Sequence, residues 1–343
     1  MLKRNYIKDG SQSLERFYPE RGVKPTLKDV AKLAGVNFTL VSKYLNHSSQ
    51  ARMTPETRAR IDSAIKELNY RPSASARTLR CGKSRTVGLV CGDLTNAYSA
   101  HFANLILNFL REHGYQLLIA VRGPEAGRAA LDFLTDRDVD GLVLSGADLP
   151  EAYFPKLPTA VYDTSVNRGS VMNPDLGRSL DAALSGVDGR IAGLFFRNSA
   201  WSGAFQLAAH RRGLEAMARI LPFDLEARLK ELRKVCAEKP DWILTSGWQT
   251  LVMLQDLLGD EFPGYRPHLL VHANCRGPFM NAPEIAGVIH SNTGDMVREL
   301  CSMLLNQIEN SGAVLGNRLF PTVFRPAGSP EFEALKTRHF QLT

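Results

Sequence analysis

The sequence predicts two folds in one chain: an all-α helix-turn-helix head, then an α/β body built as two doubly wound parallel-sheet subdomains. Three observations point there. At 343 residues, 44% hydrophobic and 22% charged, the chain is too long for one compact domain. Its charge is unevenly placed: positions 1–86 carry 18 basic and 7 acidic residues, net +11, while the remaining 257 carry 24 and 28, net −4. A basic head on a mildly acidic body is the asymmetry expected when only one module faces phosphate. Finally, short capped helices crowd the first 70 positions, whereas apolar runs alternate with amphipathic stretches beyond Thr86.

Within the head, Thr26-Leu27-Lys28-Asp29 reads as a capping box, in which the threonine hydroxyl accepts from the Asp29 amide and the carboxylate reaches back. A helix starts there, with Val30, Leu33 and Ala34 as its apolar stripe and Gly35 placed to end it in a left-handed cap. Asn37 caps a second helix that runs to Asn46, on which Val41 and Leu45 face the first. Thr54-Pro55 supplies the cap and first-turn proline of a third helix, 56–68, whose Ile61, Ile65 and Leu68 close a small core. After Tyr70-Arg71-Pro72, residues 73–80 can form two helical turns capped by Ser73. Isolated helices below about 12–15 residues rarely persist in water, so this segment is expected to order only when something packs on it. Residues 1–22 match no pattern and read as a disordered extension.

In the body, strands are expected at 87–91, 117–121, 141–144, 160–162, 191–196, 242–245, 269–271 and 287–290, with helices between them at 103–113, 126–134, 208–218, 225–236 and 296–308. No run approaches the roughly 18–20 apolar residues of a membrane-spanning helix, and the N-terminus lacks the apolar centre of an export signal, so no membrane partner and a cytoplasmic location are expected. The five cysteines, Cys81, Cys91, Cys236, Cys275 and Cys301, are odd in number and widely spaced, which argues against a disulfide framework or a structural zinc site. Gly82-Lys83-Ser84 ends like a phosphate-binding loop, but the glycine needed five positions earlier is Arg77. His268 and His272, four apart, fall in a strand and so do not form a helical metal face. No catalytic residue, metal site or cofactor is expected, and the chain is not read as an enzyme.

The run Thr26-Leu27-Lys28-Asp29-Val30-Ala31-Lys32-Leu33-Ala34-Gly35-Val36, then Val41-Ser42-Lys43-Tyr44-Leu45-Asn46, then Tyr70-Arg71-Pro72 with Ala76-Arg77-Thr78-Leu79-Arg80, resembles the head and hinge of the LacI/GalR (lactose and galactose repressor) family. The likeness is dense over about 60 residues. It continues more thinly through Asp93-Leu94-Thr95-Asn96-Ala97-Tyr98 and His113-Gly114-Tyr115. The resemblance implies a homodimeric, in some members tetrameric, transcription factor that binds double-stranded, pseudo-palindromic operator DNA under control of a small, carbohydrate-like effector. It also implies a body resembling periplasmic sugar-binding proteins, crossed three times by the chain. Those crossings are expected near Asp163, His290 and Leu319. The resulting division is an extension (1–22), a head (23–71), a hinge helix and linker (72–86), and a body (87–326). Subdomain one then takes 87–163 and 290–318, subdomain two 164–289 and 319–326, and a tail 327–343 follows.

A helix laid in the major groove presents its N-terminal side chains to base edges while flanking hydroxyls fix the register on phosphates. On that footing Asn37, Phe38, Thr39 and Lys43 are the expected major-groove residues, and Thr26, Ser42, Asn46, Thr54 and Thr57 the phosphate anchors. Asn37, Leu40 and Lys43 depart from the family's usual Ser, Thr and Arg; Lys43 lacks the bidentate fork, which softens guanine discrimination. The resemblance further places Ser73, Ala76, Arg77, Leu79 and Arg80 in the hinge, with Leu79 wedged into the minor groove beside its dimer mate. It transfers effector contacts to Tyr98, Ser99, Asp163, Arg197, Trp248 and Asn274. Trp248 and Asn274 stand where acidic residues are usual, and Ala209 where an arginine is often found, so a copied sugar site is not expected. A second reading keeps the DNA-binding head but makes the effector cleft degenerate and the regulator ligand-independent.

Overall fold

In the computed structural model, the described residues are 25–45, 52–71, 82–92, 94, 97–122, 127–145, 154, 156–162, 169–196, 200–222, 224–272, 284–310 and 316–337. They fall into two units, Met1–Lys83 and Ser84–Thr343.

The head holds α1 (Leu27–Ala34), α2 (Phe38–Leu45) and α3 (Pro55–Glu67). The capping box forms as the sequence predicts: the Asp29 amide donates to Thr26 Oγ1 at 3.4 Å, and the Thr26 amide donates to Asp29 Oδ2 at 2.7 Å. These bonds hold the Asp29 carboxyl below the usual carboxylate range. Gly35 ends α1 at φ 64°, a conformation that only glycine adopts without strain. Asn37 Oδ1 accepts the Thr39 amide at 2.8 Å and starts α2; Thr54 Oγ1 accepts the Thr57 amide at 3.3 Å and, with Pro55, starts α3. Val30, Ala31, Ala34, Val41, Ile61 and Ala64 make the core. Leu33 departs from the expected stripe: it is 46% exposed, because Val30 and Ala34, four apart, already fill the face turned to α3. Tyr44 ties α2 to α3, its hydroxyl donating to Asp62 Oδ1 at 2.7 Å.

The body begins at Ser84, three residues before the expected boundary. The Ser84 and Arg85 amides donate to the two carboxylate oxygens of Asp140 at 2.8 and 2.7 Å, fixing the entry to the first sheet. In chain order the elements are β1 (Thr86–Cys91), α4 (Ala97–Glu112), β2 (Gln116–Val121), α5 (Arg128–Thr135), β3 (Gly141–Ser145), β4 (Thr159–Tyr162), β5 (Ser170–Asp175), α6 (Gly177–Ala183), β6 (Arg190–Phe195), α7 (Ala200–Arg211), β7 (Glu215–Ile220), α8 (Leu225–Glu238), β8 (Trp242–Ser246), α9 (Trp248–Asp260), β9 (His268–His272), β10 (Ile285–His290), α10 (Thr293–Glu309), β11 (Asn317–Pro321), β12 (Val323–Pro326) and α11 (Pro330–Thr337).

Two six-stranded sheets result, in the orders β11-β5-β4-β3-β1-β2 and β12-β10-β9-β8-β6-β7. The first is parallel throughout, and the second is parallel except for β12, which runs against β10. Each is covered on both faces by helices, with buried clusters on either side.

Four expectations are corrected. The first crossing falls at Asp175–Leu176 and not near Asp163, because β5 pairs with β4 and β11 in the first sheet before Leu176 and Leu180 enter the core of the second. The third falls at Thr322 and not at Leu319, which lies inside β11; the second, between His290 and Thr293, agrees with the reading. Residues 208–218 are not one helix: Gly213 at φ 65° ends α7, and β7 then pairs with β6. The stretch after residue 326 is not a tail, since α11 buries Phe332 and Leu335 in the second subdomain. At the crossings, Thr322 Oγ1 lies 2.6 Å from Ser179 Oγ and also donates to the Asp175 carbonyl, so one buried hydroxyl pair joins two of the connecting strands.

Candidate nucleic-acid interface and effector cleft

On α2, two pairs spaced four apart share a face each: Phe38 with Ser42, and Thr39 with Lys43. Phe38 is 53% exposed, so it is not the core aromatic that its size suggests; Thr39 and Asn37 are exposed, and Ser42 and Lys43 half-buried. Asn37 spends its carbonyl oxygen on the Thr39 amide, which leaves its NH2 as the outward donor. The Thr26 hydroxyl donates to Asp29 at 2.7 Å, and the Thr54 and Thr57 hydroxyls lie 3.2 Å apart. These three are therefore oriented by local partners at helix starts, where backbone amides also face outward. Sequence reasoning passed over Arg60, whose Nη2 donates to Thr57 Oγ1 at 3.4 Å beside the same helix start. Asn46 and the hinge residues Ser73, Ala76, Arg77, Leu79 and Arg80 lie outside the described residues.

The second candidate site is the carboxyl edge of the body sheets, where open α/β folds bind ligands. Tyr98, in the first turn of α4, packs against the core clusters of both subdomains, and its ring stacks on Phe102 with centroids 5.8 Å apart. Ser99 and Arg122 converge at the end of β1: a methyl carbon placed on Gly92 would lie 3.8 Å from Ser99 Oγ and 4.0 Å from Arg122 Nη2. Trp248 is the first residue of α9. Asp163, Arg197 and Asn274 lie outside the described residues.

Three groups here were not singled out from sequence. Arg122 directly follows β2, and Arg228 is almost fully buried on α8. The Trp201 and His272 rings meet with centroids 3.8 Å apart and planes tilted by 33°, at the ends of α7 and β9 that face this edge. Arg228 was legible in principle, as a charge spaced at i, i+4 and i+7 with the buried Leu232 and Val235. Burial lowers its pKa, with Asp224 acting in opposition, yet a guanidinium stays charged at any working pH.

Burial also holds the His101 imidazole, on α4, below the usual histidine range. The unfolded chain takes up that proton more readily, so this group withdraws stability as the pH falls through its unfolded value of about 6.5. Thermal denaturation between about pH 7.5 and 5.5 should show a decline that is smaller in His101→Gln; an identical decline in both proteins would remove His101 from that role.

Known proteins share this architecture. The family profile for bacterial regulatory proteins of the lacI family matches residues 26–73. The fructose operon regulatory protein of Vibrio cholerae is 30% identical over 263 residues, covering 69% of this chain and 79% of the relative. Among solved structures, the lac repressor dimer bound to operator and an anti-inducer superposes with TM-score 0.74 at 20% identity, over 88% of this chain and 98% of that one. A transcriptional regulator CelR–cellobiose complex superposes with TM-score 0.58 at 20% identity and the same coverages.

Proposed function

Because this chain belongs to the LacI family of bacterial regulatory proteins, we propose that its head reads operator bases through the first turn of α2 and that its body takes a carbohydrate-like effector between the two subdomains. It is a DNA-binding transcriptional regulator under small-molecule control, and its relatives are regulators and not enzymes. The observation that carries the reading is Phe38: a large apolar side chain, 53% exposed at a helix start whose cap is already set by Asn37, contributes nothing to the head's core and is free for a thymine methyl. Lys43 donates to guanine O6 and N7, while Thr26, Ser42, Thr54 and Thr57 hold phosphates. Leu79 enters the minor groove at the centre of the site.

Two heads are required for a pseudo-palindromic operator. Exposed apolar side chains on α4 and the edge strand β2, Leu107 at 41% and Val121 at 46%, suit pairing with a second copy. A carbohydrate-like effector is supported by the relative described as a fructose operon regulator and by the neighbour solved with cellobiose. Favouring one orientation of the subdomains changes the spacing of the two hinges, and couplings of about 1–3 kcal/mol move operator affinity roughly 5- to 150-fold.

Lys43→Ala provides the test. Measured on a panel of single-base operator variants, it should lose about 1–3 kcal/mol and relax preference at one base pair. Equal weakening on every variant would make Lys43 a phosphate contact and leave base reading to Phe38 and Thr39.

A further inference from the structure

The helix that carries the base-reading side chains is held to the head by little apolar surface. α2 is eight residues long, and only Val41 on it is fully buried; Tyr44 and Leu45 are half-buried against the same core. At about 100° per residue, Tyr44 lies about 60° round the helix from Val41, whereas Thr39 and Lys43 lie about 160° from it, on the far side. Apolar contact at Val41 and Leu45 holds α2 against the core but has no preferred direction, so it resists rotation of the helix about its own axis only weakly.

Two groups on α3 supply the missing direction. The Tyr44 hydroxyl donates to Asp62 Oδ1 at 2.7 Å, the length of a hydrogen bond to a charged acceptor. One turn earlier on α3, the Arg58 guanidinium carbon lies 5.7 Å from the centre of the Tyr44 ring, within cation–π range. The hydroxyl tip and the ring are therefore both held, from positions four apart on one helix. The bond to Asp62 also raises the Tyr44 pKa, so the phenol stays protonated and keeps donating at any working pH.

Rotation matters because the reading groups stand off the helix axis. With side chains, a helix has a radius of about 5–6 Å, so a turn of about 10° carries the outer atoms of Thr39 and Lys43 by about 1 Å. A binding constellation needs its groups placed to within about 0.5 Å, and hydrogen bonds weaken as they leave the range of about 2.7–3.2 Å.

We propose that Tyr44 is a positioning residue for base reading: gripped by Asp62 and Arg58, it fixes the rotation of α2 and so sets how sharply the head discriminates operator bases, without itself touching DNA. This rests on the reading of operator bases by α2.

A duplex selected by the full chain from a randomised library is the probe, and a scrambled duplex of the same length and composition is the reference. The quantity measured is the ratio of the two affinities at one salt concentration. Tyr44→Phe removes only the hydroxyl and Asp62→Ala its acceptor; each should lower the ratio about tenfold, the size of one lost base contact. Asp62→Asn loses the same charge as Asp62→Ala but keeps an oxygen acceptor, so its ratio should stay within about twofold of the parent. The double variant Tyr44→Phe/Asp62→Ala should fall no further than either single one, since hydroxyl and carboxylate act as one bond. A merely structural role would lower the melting temperature and leave the ratio in place, because the folded fraction enters both affinities alike. That result, equal losses in Asp62→Asn and Asp62→Ala, or additive losses in the double variant would overturn the assignment. Thr39→Ala/Lys43→Ala, run beside them, separates the two readings. A ratio lowered there but not in Tyr44→Phe keeps base reading on α2 and removes the positioning role, whereas a ratio unmoved there takes base reading off this face of α2 and the positioning role with it.

Discussion

Replacing Phe332 with alanine is expected to remove about 3–5 kcal/mol from the stability of the second subdomain, the range for a fully buried aromatic truncated to a methyl. The side chain is 1% exposed, in a cluster with Leu232, Val235, Leu254, Leu269, Val271 and Ile285, drawn from α8, α9 and two strands. Its removal takes away transfer free energy and leaves a cavity that this many fixed neighbours cannot close. Domain stabilities are commonly about 5–15 kcal/mol, so the loss is a large fraction of the total and should lower the melting temperature by roughly 10 °C. Urea unfolding should show an earlier midpoint with an unchanged slope, the sign of altered stability and not of an altered unfolded state. Leu319→Ala is the control. That leucine is 69% exposed on the edge strand β11, and its truncation should stay within about 0.5 kcal/mol. Equal effects of the two substitutions would mean that α11 does not belong to the core.

That α11 was read as a tail while the head was read almost residue by residue has one physical cause, the range of the interactions that define each. Thr26 with Asp29, Asn37 with Thr39 and Thr54 with Thr57 are bonds between residues two or three apart, so the side-chain types and spacing that make them are visible in the sequence. Strands buried on both faces, such as β1 and β8, are likewise legible as short apolar runs. By contrast β5 contains Asn173-Pro174-Asp175, which reads as a turn; it is a strand because β4 lies on one side and β11, more than 140 residues later, on the other. β7 is an edge strand with exposed Glu215 and Ala216, whose pattern does not separate it from the helix before it. The crossing points followed these errors, because a crossing is defined only by which sheet each strand joins. In the effector cleft the limit was different. The resemblance points to Tyr98 and Ser99 on α4 and to Trp248 on α9, and not to Arg122 or Arg228, whose placement depends on residues distant in sequence, Ser99 beside Arg122 and Gln249 against Arg228.

Separating the two units should separate the two binding activities. The whole-chain charge of +7 and pI near 9.2 combine positions 1–83 of net +10 with the remainder of net −3, so a fragment starting at Ser84 should retain no DNA at physiological salt. Ser84 is the correct point of division because its amide and that of Arg85 are bonded to Asp140 and belong to the first sheet. For the full chain, log affinity should fall linearly with log salt, with a slope of about −0.9 for each phosphate neutralised. A protein making roughly 6–10 such contacts loses about 10³- to 10⁵-fold in affinity between about 50 and 200 mM salt. Neutral hydroxyls and cations then part company. Thr54→Val, in the cap of α3, should weaken binding on every sequence with little change of slope, since a hydroxyl releases no counterion. Arg60→Gln should reduce the slope by about one if its guanidinium, bonded to Thr57 at that same helix start, lies on a phosphate. Retention of DNA by the fragment from Ser84, with a comparable salt slope, would place phosphate contacts in the body and refute the assignment of all DNA binding to the head.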